Sequence, residues 1–152
     1  MIQYLAHSPT EACPRGQPLK DHLEQVSALC AHFCEPFDGE EDGALCGMLH
    51  DIGKYSTAFQ QRLDGGTQRV DHSTAGAYEL YTRKQFPAAM CVAGHHGGLN
   101  DLGTKNDMGG SFRGRMTQAN MGTLEDYSAW SQEVCIRLPR NNRALPGVAA
   151  YY

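Results

Sequence analysis

Leu45-Cys46-Gly47-Met48-Leu49-His50-Asp51-Ile52-Gly53-Lys54 is an apolar helical run that delivers an adjacent histidine and aspartate, with Gly53 read as the helix stop. Neighbouring side chains on a helix project about 100° apart, so such a pair normally diverges. A metal ion at the end of the helix is one species that both can reach. His22, His72, His95 and His96 occur in other helix-like segments. Each buried imidazole or carboxylate needs a partner, and a divalent cation serves them all at once.

Upstream, residues 1 to 18 form an extended or irregular lead-in punctuated by Pro9, Pro14 and Pro18. Leu19, Leu23, Val26, Leu29, Cys30 and Phe33 then recur at helical spacing and predict an inward stripe that ends before Pro36. His22 lies on that stripe; alone, it reads as a core histidine bonded to a carbonyl. Glu40 to Asp42 give the next helix an acidic start, favourable at the positive end of its dipole. Ala44, Leu45, Met48, Leu49 and Ile52 are its expected buried side.

Downstream, Ser56 caps a short helix to Leu63, with Phe59 and Leu63 inward, and Asp64-Gly65-Gly66 makes a turn. Asp71-His72-Ser73-Thr74 starts a helix whose expected inward face is Ala75, Tyr78 and Tyr81, running to Phe86. Pro87 suits the first turn of the following helix, and apolar Ala88 to Ala93 predict a buried centre ending in Gly94-His95-His96-Gly97-Gly98. Residues 97 to 118 read as a long glycine-rich loop carrying Arg113 and Arg115. A last helix is expected from Thr123, with Leu124, Tyr127, Trp130 or Ser131, and Val134 inward, before Pro139-Arg140-Asn141-Asn142-Arg143 breaks the pattern. No strand alternation competes, and the class is all-α.

The 152 residues suit one domain with a proper core. There is no 18-residue apolar run and no signal-peptide pattern, so a cytoplasmic location without a membrane span is expected. Six cysteines without a Cys-x-x-Cys read as buried thiols. The net charge of −4 argues against a broad grip on duplex nucleic acid. Bound divalent ions would nevertheless make a histidine-rich pocket locally positive.

Imidazole nitrogen suits manganese, iron, cobalt, nickel and zinc better than magnesium, although magnesium remains in range. Asp51 is the carboxylate inside the cluster, and its two oxygens allow it to bridge two ions. Paired ions about 4 Å apart stabilise both oxygens of a phosphoryl displacement. A phosphodiesterase or phosphohydrolase using one or two ions is what this ligand set does best. His7 and His32 read as structural.

His50-Asp51 resembles the signature of the HD superfamily of metal-dependent phosphohydrolases. Ala6-His7-Ser8, His22, Leu49 through Ser56, Asp71-His72-Ser73-Thr74-Ala75-Gly76-Ala77 and His95-His96-Gly97-Gly98-Leu99-Asn100-Asp101 together resemble the HD nuclease domain of the CRISPR-associated helicase-nuclease of type I systems. The likeness runs in order over about residues 4 to 101. It implies a helical bundle with a central metal site. His22, His50 and Asp51 would hold a first metal, and Asp51, His72, His95 and His96 a second. Asp51 would be essential to catalysis, and Lys54 would steady the scissile phosphate unless it is a solvated helix-end lysine. The implied activity is cleavage of single-stranded DNA supplied by a helicase domain or subunit once a crRNA-guided surveillance complex has opened the target.

Two departures accompany the likeness. The family closes its first metal site with a late aspartate in a Ser-x-Leu-x-x-x-Asp-like setting, and Asp101, Asp107 and Asp126 do not match it, Asp126 being expected on the last helix. Residues 1–152 therefore read as one HD-type nuclease domain, either cut short at its C-terminus or with an incomplete first site. No Gly-x-x-x-x-Gly-Lys-Ser/Thr loop is present, so the chain is expected to carry no helicase. Arg113 and Arg115, around Phe112, suggest contacts to a strand unless the loop is merely solvated. The alternatives are an HD-type nucleotide phosphohydrolase and a catalytically silent docking module.

Overall fold

The computed structural model describes residues 4–104 and 106–139. The predicted break after Leu138 falls largely on 140–152, outside the described residues.

The chain begins with β1 (Leu5–His7) paired antiparallel to β2 (Gln17–Pro18), a small ladder that the sequence pattern does not announce. Helix α1 (Leu19–Cys34) follows, then a 3₁₀ turn at Glu35–Phe37, α2 (Glu40–Leu49), a second 3₁₀ turn at Ile52–Tyr55 and α3 (Thr57–Leu63). Helices α4 (Ser73–Thr82), α5 (Phe86–Gly94), α6 (Phe112–Asn120) and the single turn α7 (Trp130–Glu133) complete an all-α bundle.

Helices α1 and α2 pack as one antiparallel pair and α4 and α5 as another. The pairs meet where α2 lies against α4 and α5, and α6 covers α4. Leu19, Leu23, Leu49, Ile52, Tyr55, Leu80 and Val92 are sealed from water at that meeting. Ser27 donates to the Ala44 carbonyl at 2.8 Å, so the hydroxyl that α1 buries against α2 is satisfied.

Several expected faces are displaced. On α1 the buried line is Leu19, Leu23 and Ser27, and Leu29 and Phe33 are exposed because α2 covers only the side facing Gly43 and Gly47. On α4 Leu80 is buried while Tyr81 is exposed, and the helix stops at Thr82; Phe86 belongs to α5. Thr123 caps no helix: residues 123–129 are irregular, and Asp126 instead accepts the Ser128 N–H. Trp130 and Val134 are buried as expected.

The expected 97–118 loop is interrupted by α6, so Arg113 and Arg115 are helical. Ser111 caps that helix by accepting the Gly114 N–H at 3.1 Å. Phe112, Met116 and Ala119 form its buried stripe.

Candidate metal centre

Helix α2 ends at Leu49, earlier than Gly53. His50 keeps helical angles as the cap, and Asp51 leaves the helix at φ −118°. That departure lets two adjacent side chains converge where a continued helix would separate them. Gly53 sits within the following 3₁₀ turn because His72 presses against it. A Cβ there would overlap the His72 carbonyl oxygen and lie 2.6 Å from its Cα. Gly76, in the first turn of α4, allows a second close approach, because a Cβ there would overlap the Leu49 carbonyl oxygen. Together they bring the start of α4 hard against the end of α2.

Asp51 is buried, and its two oxygens face different partners. Oδ2 lies 3.3 Å from His22 Nε2, 3.1 Å from His50 Nε2 and 2.8 Å from Lys54 Nζ. Oδ1 lies 3.3 Å from His72 Nε2 and 3.4 Å from His95 Nε2. His96 Nε2 approaches His72 Nε2 to 2.6 Å. The donors fall into two groups that share Asp51, one with His22 and His50 and the other with His72, His95 and His96.

The tautomers follow from the outer contacts. His50 Nδ1 donates to the Gly47 carbonyl at 2.7 Å, and His95 Nδ1 to the Val92 carbonyl at 2.7 Å. A carbonyl only accepts, so Nδ1 carries the proton in both rings, and each ring turns its Nε2 toward the Asp51 carboxylate. Imidazole nitrogens from separate segments converging on one carboxylate, with the buried Asp51 Oδ1 lacking any hydrogen bond, form an arrangement that a cation completes. Burial pushes the Asp51 carboxyl up, but the four imidazoles of His22, His50, His72 and His95 outweigh it and hold it far below the usual carboxylate range. The residues fit a divalent metal.

Lys54 is buried, so the solvated helix-end reading does not hold. Its ammonium bridges Asp51 and the Ala6 carbonyl, the latter at 3.1 Å. Strand β1 is thereby tied to the site. Gln60 fastens the same strand with paired bonds of 3.0 Å to the Leu5 backbone and holds the Lys54 carbonyl at 2.7 Å.

His7, read as structural, stands edge-on to His22 with ring centroids 5.1 Å apart. Burial, then the neighbouring Lys54 charge, lowers its pKa. The sole sequence hint is its place in Ala6-His7-Ser8. His32 lies away from the cluster, exposed beside Glu35. Asp107 is occupied by Thr104 and Ser111 and Asp126 by Ser128. Among the described residues the His22 group has three donors and gains no late carboxylate.

Arg115 does not extend into solvent as a loop arginine would. It donates to Ser73, Thr74, Ala93 and Asn100. Arg113 is half-buried, its backbone N–H bonded to the Leu102 carbonyl. A groove of about 840 Å³ runs past His72 and His96 and carries Arg62, Arg69 and Asn100 on its walls.

No match emerges from comparison with curated proteins. A family model does match: residues 12–150 correspond to the HD domain of Cas3, and the chain belongs to that family.

Proposed function

From membership of the Cas3 HD family we propose that this chain cleaves phosphodiester bonds of single-stranded DNA in a metal-dependent reaction of CRISPR antiviral defence. Its partners in this reading are a helicase domain or subunit and a crRNA-guided surveillance complex, and the reaction takes place in the cytoplasm. Among the described residues no helix is long and apolar enough to cross a membrane.

The observation that carries the reading is the two-sided Asp51 carboxylate, with His22 and His50 at one oxygen and His72 and His95 at the other. In this assignment His22, His50 and Asp51 hold one ion, and Asp51, His72, His95 and His96 hold another. Manganese, iron, cobalt, nickel and zinc suit these donors, with magnesium as a harder option. A divalent ion held there supplies Lewis acidity toward the phosphoryl oxygen and makes bound water acidic enough to ionise near neutral pH.

The chain's own residues supply geometry. The Gly47 and Val92 carbonyls fix the His50 and His95 rings. Lys54 holds Asp51 in place and moderates its charge, a positioning role in preference to direct contact with phosphate. The groove supports a phosphate-bearing substrate, since its walls carry Arg62 and Arg69 beside the His72 group.

Circular single-stranded DNA incubated with manganese, nickel or cobalt tests the proposal. Conversion of circles to linear and shorter products by wild type, lost in Asp51→Ala, is the expected result. Phosphate release from nucleotides with the circle intact would transfer the assignment to a nucleotide phosphohydrolase. Metal binding without either activity would leave a docking module.

A further inference from the structure

The histidine donors of the His72 group come from two helix ends that are not continuous in sequence. His72 precedes the first turn of α4, and His95 and His96 follow the last turn of α5. Something must hold those ends in register, and His72 lacks the ring hydrogen bond that fixes His50 and His95. Its Nδ1 is buried without a partner.

Arg115, on α6, reaches both ends. Its Nε and Nη2 donate to Thr74 Oγ1 at 2.9 and 2.6 Å, and Nη2 also donates to Ser73 Oγ at 2.8 Å. Ser73 and Thr74 directly follow His72. From the other side, Nη1 donates to the Ala93 carbonyl at 2.7 Å and to Asn100 Oδ1 at 3.1 Å. Ala93 lies two residues before His95, in the terminal turn where helix carbonyls lack intrahelical donors. A cation there also complements the negative end of the α5 dipole. Asp71 completes the arrangement, accepting the Ser73 and Thr74 N–H groups at 3.1 Å and lying 3.7 Å from Arg115 Nη2. The planar guanidinium reaches four residues at fixed angles, which an ammonium cannot reproduce.

We propose that Arg115 is a positioning residue for the second metal group, setting the spacing of His72 against His95 and His96 and leaving the His22 and His50 side untouched. The inference rests on the metal-binding reading above. Partners of metal ligands typically change affinity by about 10–100-fold when removed, and Arg115 acts on this scale through the two helix ends.

The test uses Arg115→Ala, Arg115→Lys and the milder Asn100→Ala in two measurements on the whole chain. In chelated protein, ¹⁵N-histidine NMR is expected to show displaced ring signals for His72, His95 and His96 in Arg115→Ala, with His22 and His50 unmoved. Manganese titration followed by electron paramagnetic resonance is expected to show a loss of about 10–100-fold at one class of site. Arg115→Lys should fail to rescue it, and Asn100→Ala should give a smaller loss of the same sign. Unchanged His72 and His96 signals in Arg115→Ala, or equal displacement of all five rings, would overturn the proposal. If Arg115→Ala does not fold, Asn100→Ala decides by the same signals. Wild type that binds no manganese, while the ring signals move as expected, would instead sink the metal reading and leave the positioning contact standing.

Discussion

Asp51 is the residue on which the two histidine groups depend, and replacing it affects both. Asp51→Ala is expected to weaken metal binding and cleavage by at least about 100-fold, measured by metal analysis and digestion of circular single-stranded DNA. His32→Ala, at an exposed position beside Glu35, should keep cleavage within about twofold. Lys54→Met removes one partner of a buried ion pair, a change that typically costs about 3–5 kcal/mol. Its destabilisation, followed by chemical denaturation, should be larger in chelator than in manganese, because a bound cation compensates Asp51 when the ammonium is gone. At this scale the sequence is most legible where chemistry is concentrated. His22, His50, His72, His95 and His96 stand out because histidines beside apolar residues need partners. Arg115 and His7 are not legible, since their roles depend on where α6 and β1 come to lie.

At the scale of elements, the close approach of α4 to α2 rests on Gly53 and Gly76. Gly53→Ala would drive a methyl group into the His72 backbone, where no flexible side chain can yield. Overpacking of this kind costs about 1–3 kcal/mol, and the displaced His72 should weaken metal binding by about tenfold or more, read by thermal melting and manganese titration. Helix existence is readable from spacing, whereas helix faces are less so. Leu29 and Phe33 fit the period of α1 but project beyond the width that α2 covers. Helix α6 is masked in the sequence by Gly110 and Gly114, which suggest a loop. Its Ser111 cap and the apolar Phe112, Met116 and Ala119 point to a helix once weighed together. The region after Met121 shows the opposite failure, since Leu124, Tyr127 and Trp130 are spaced as in a helix and yet are packed by a largely irregular chain.

For the molecule as a whole, metal binding and folding are linked. An ion supplied at 100 times its dissociation constant should add about 2.7 kcal/mol of stability, a rise in Tm of roughly 5–10 °C for a chain of this size, abolished by chelation. Affinity should fall as the solution is acidified, because imidazoles must be neutral to coordinate. His96 has a lowered pKa, caused first by burial and then by the neighbouring His95 and His72. A lowered histidine pKa means that the unfolded chain takes up the proton first, so this contribution to stability is full above about pH 6.5 and is lost as pH falls below it. Melting curves between pH 5 and pH 8 in chelator check that direction. The ammonium lodged between Asp51 and the Ala6 carbonyl has a further implication. It acts as a resident understudy for the positive charge an ion would bring, so the polypeptide is expected to assemble before any ion arrives. Stripping and reloading should then be a reversible exchange on a finished scaffold, with ion supply expected to govern when the scaffold works and not whether it exists.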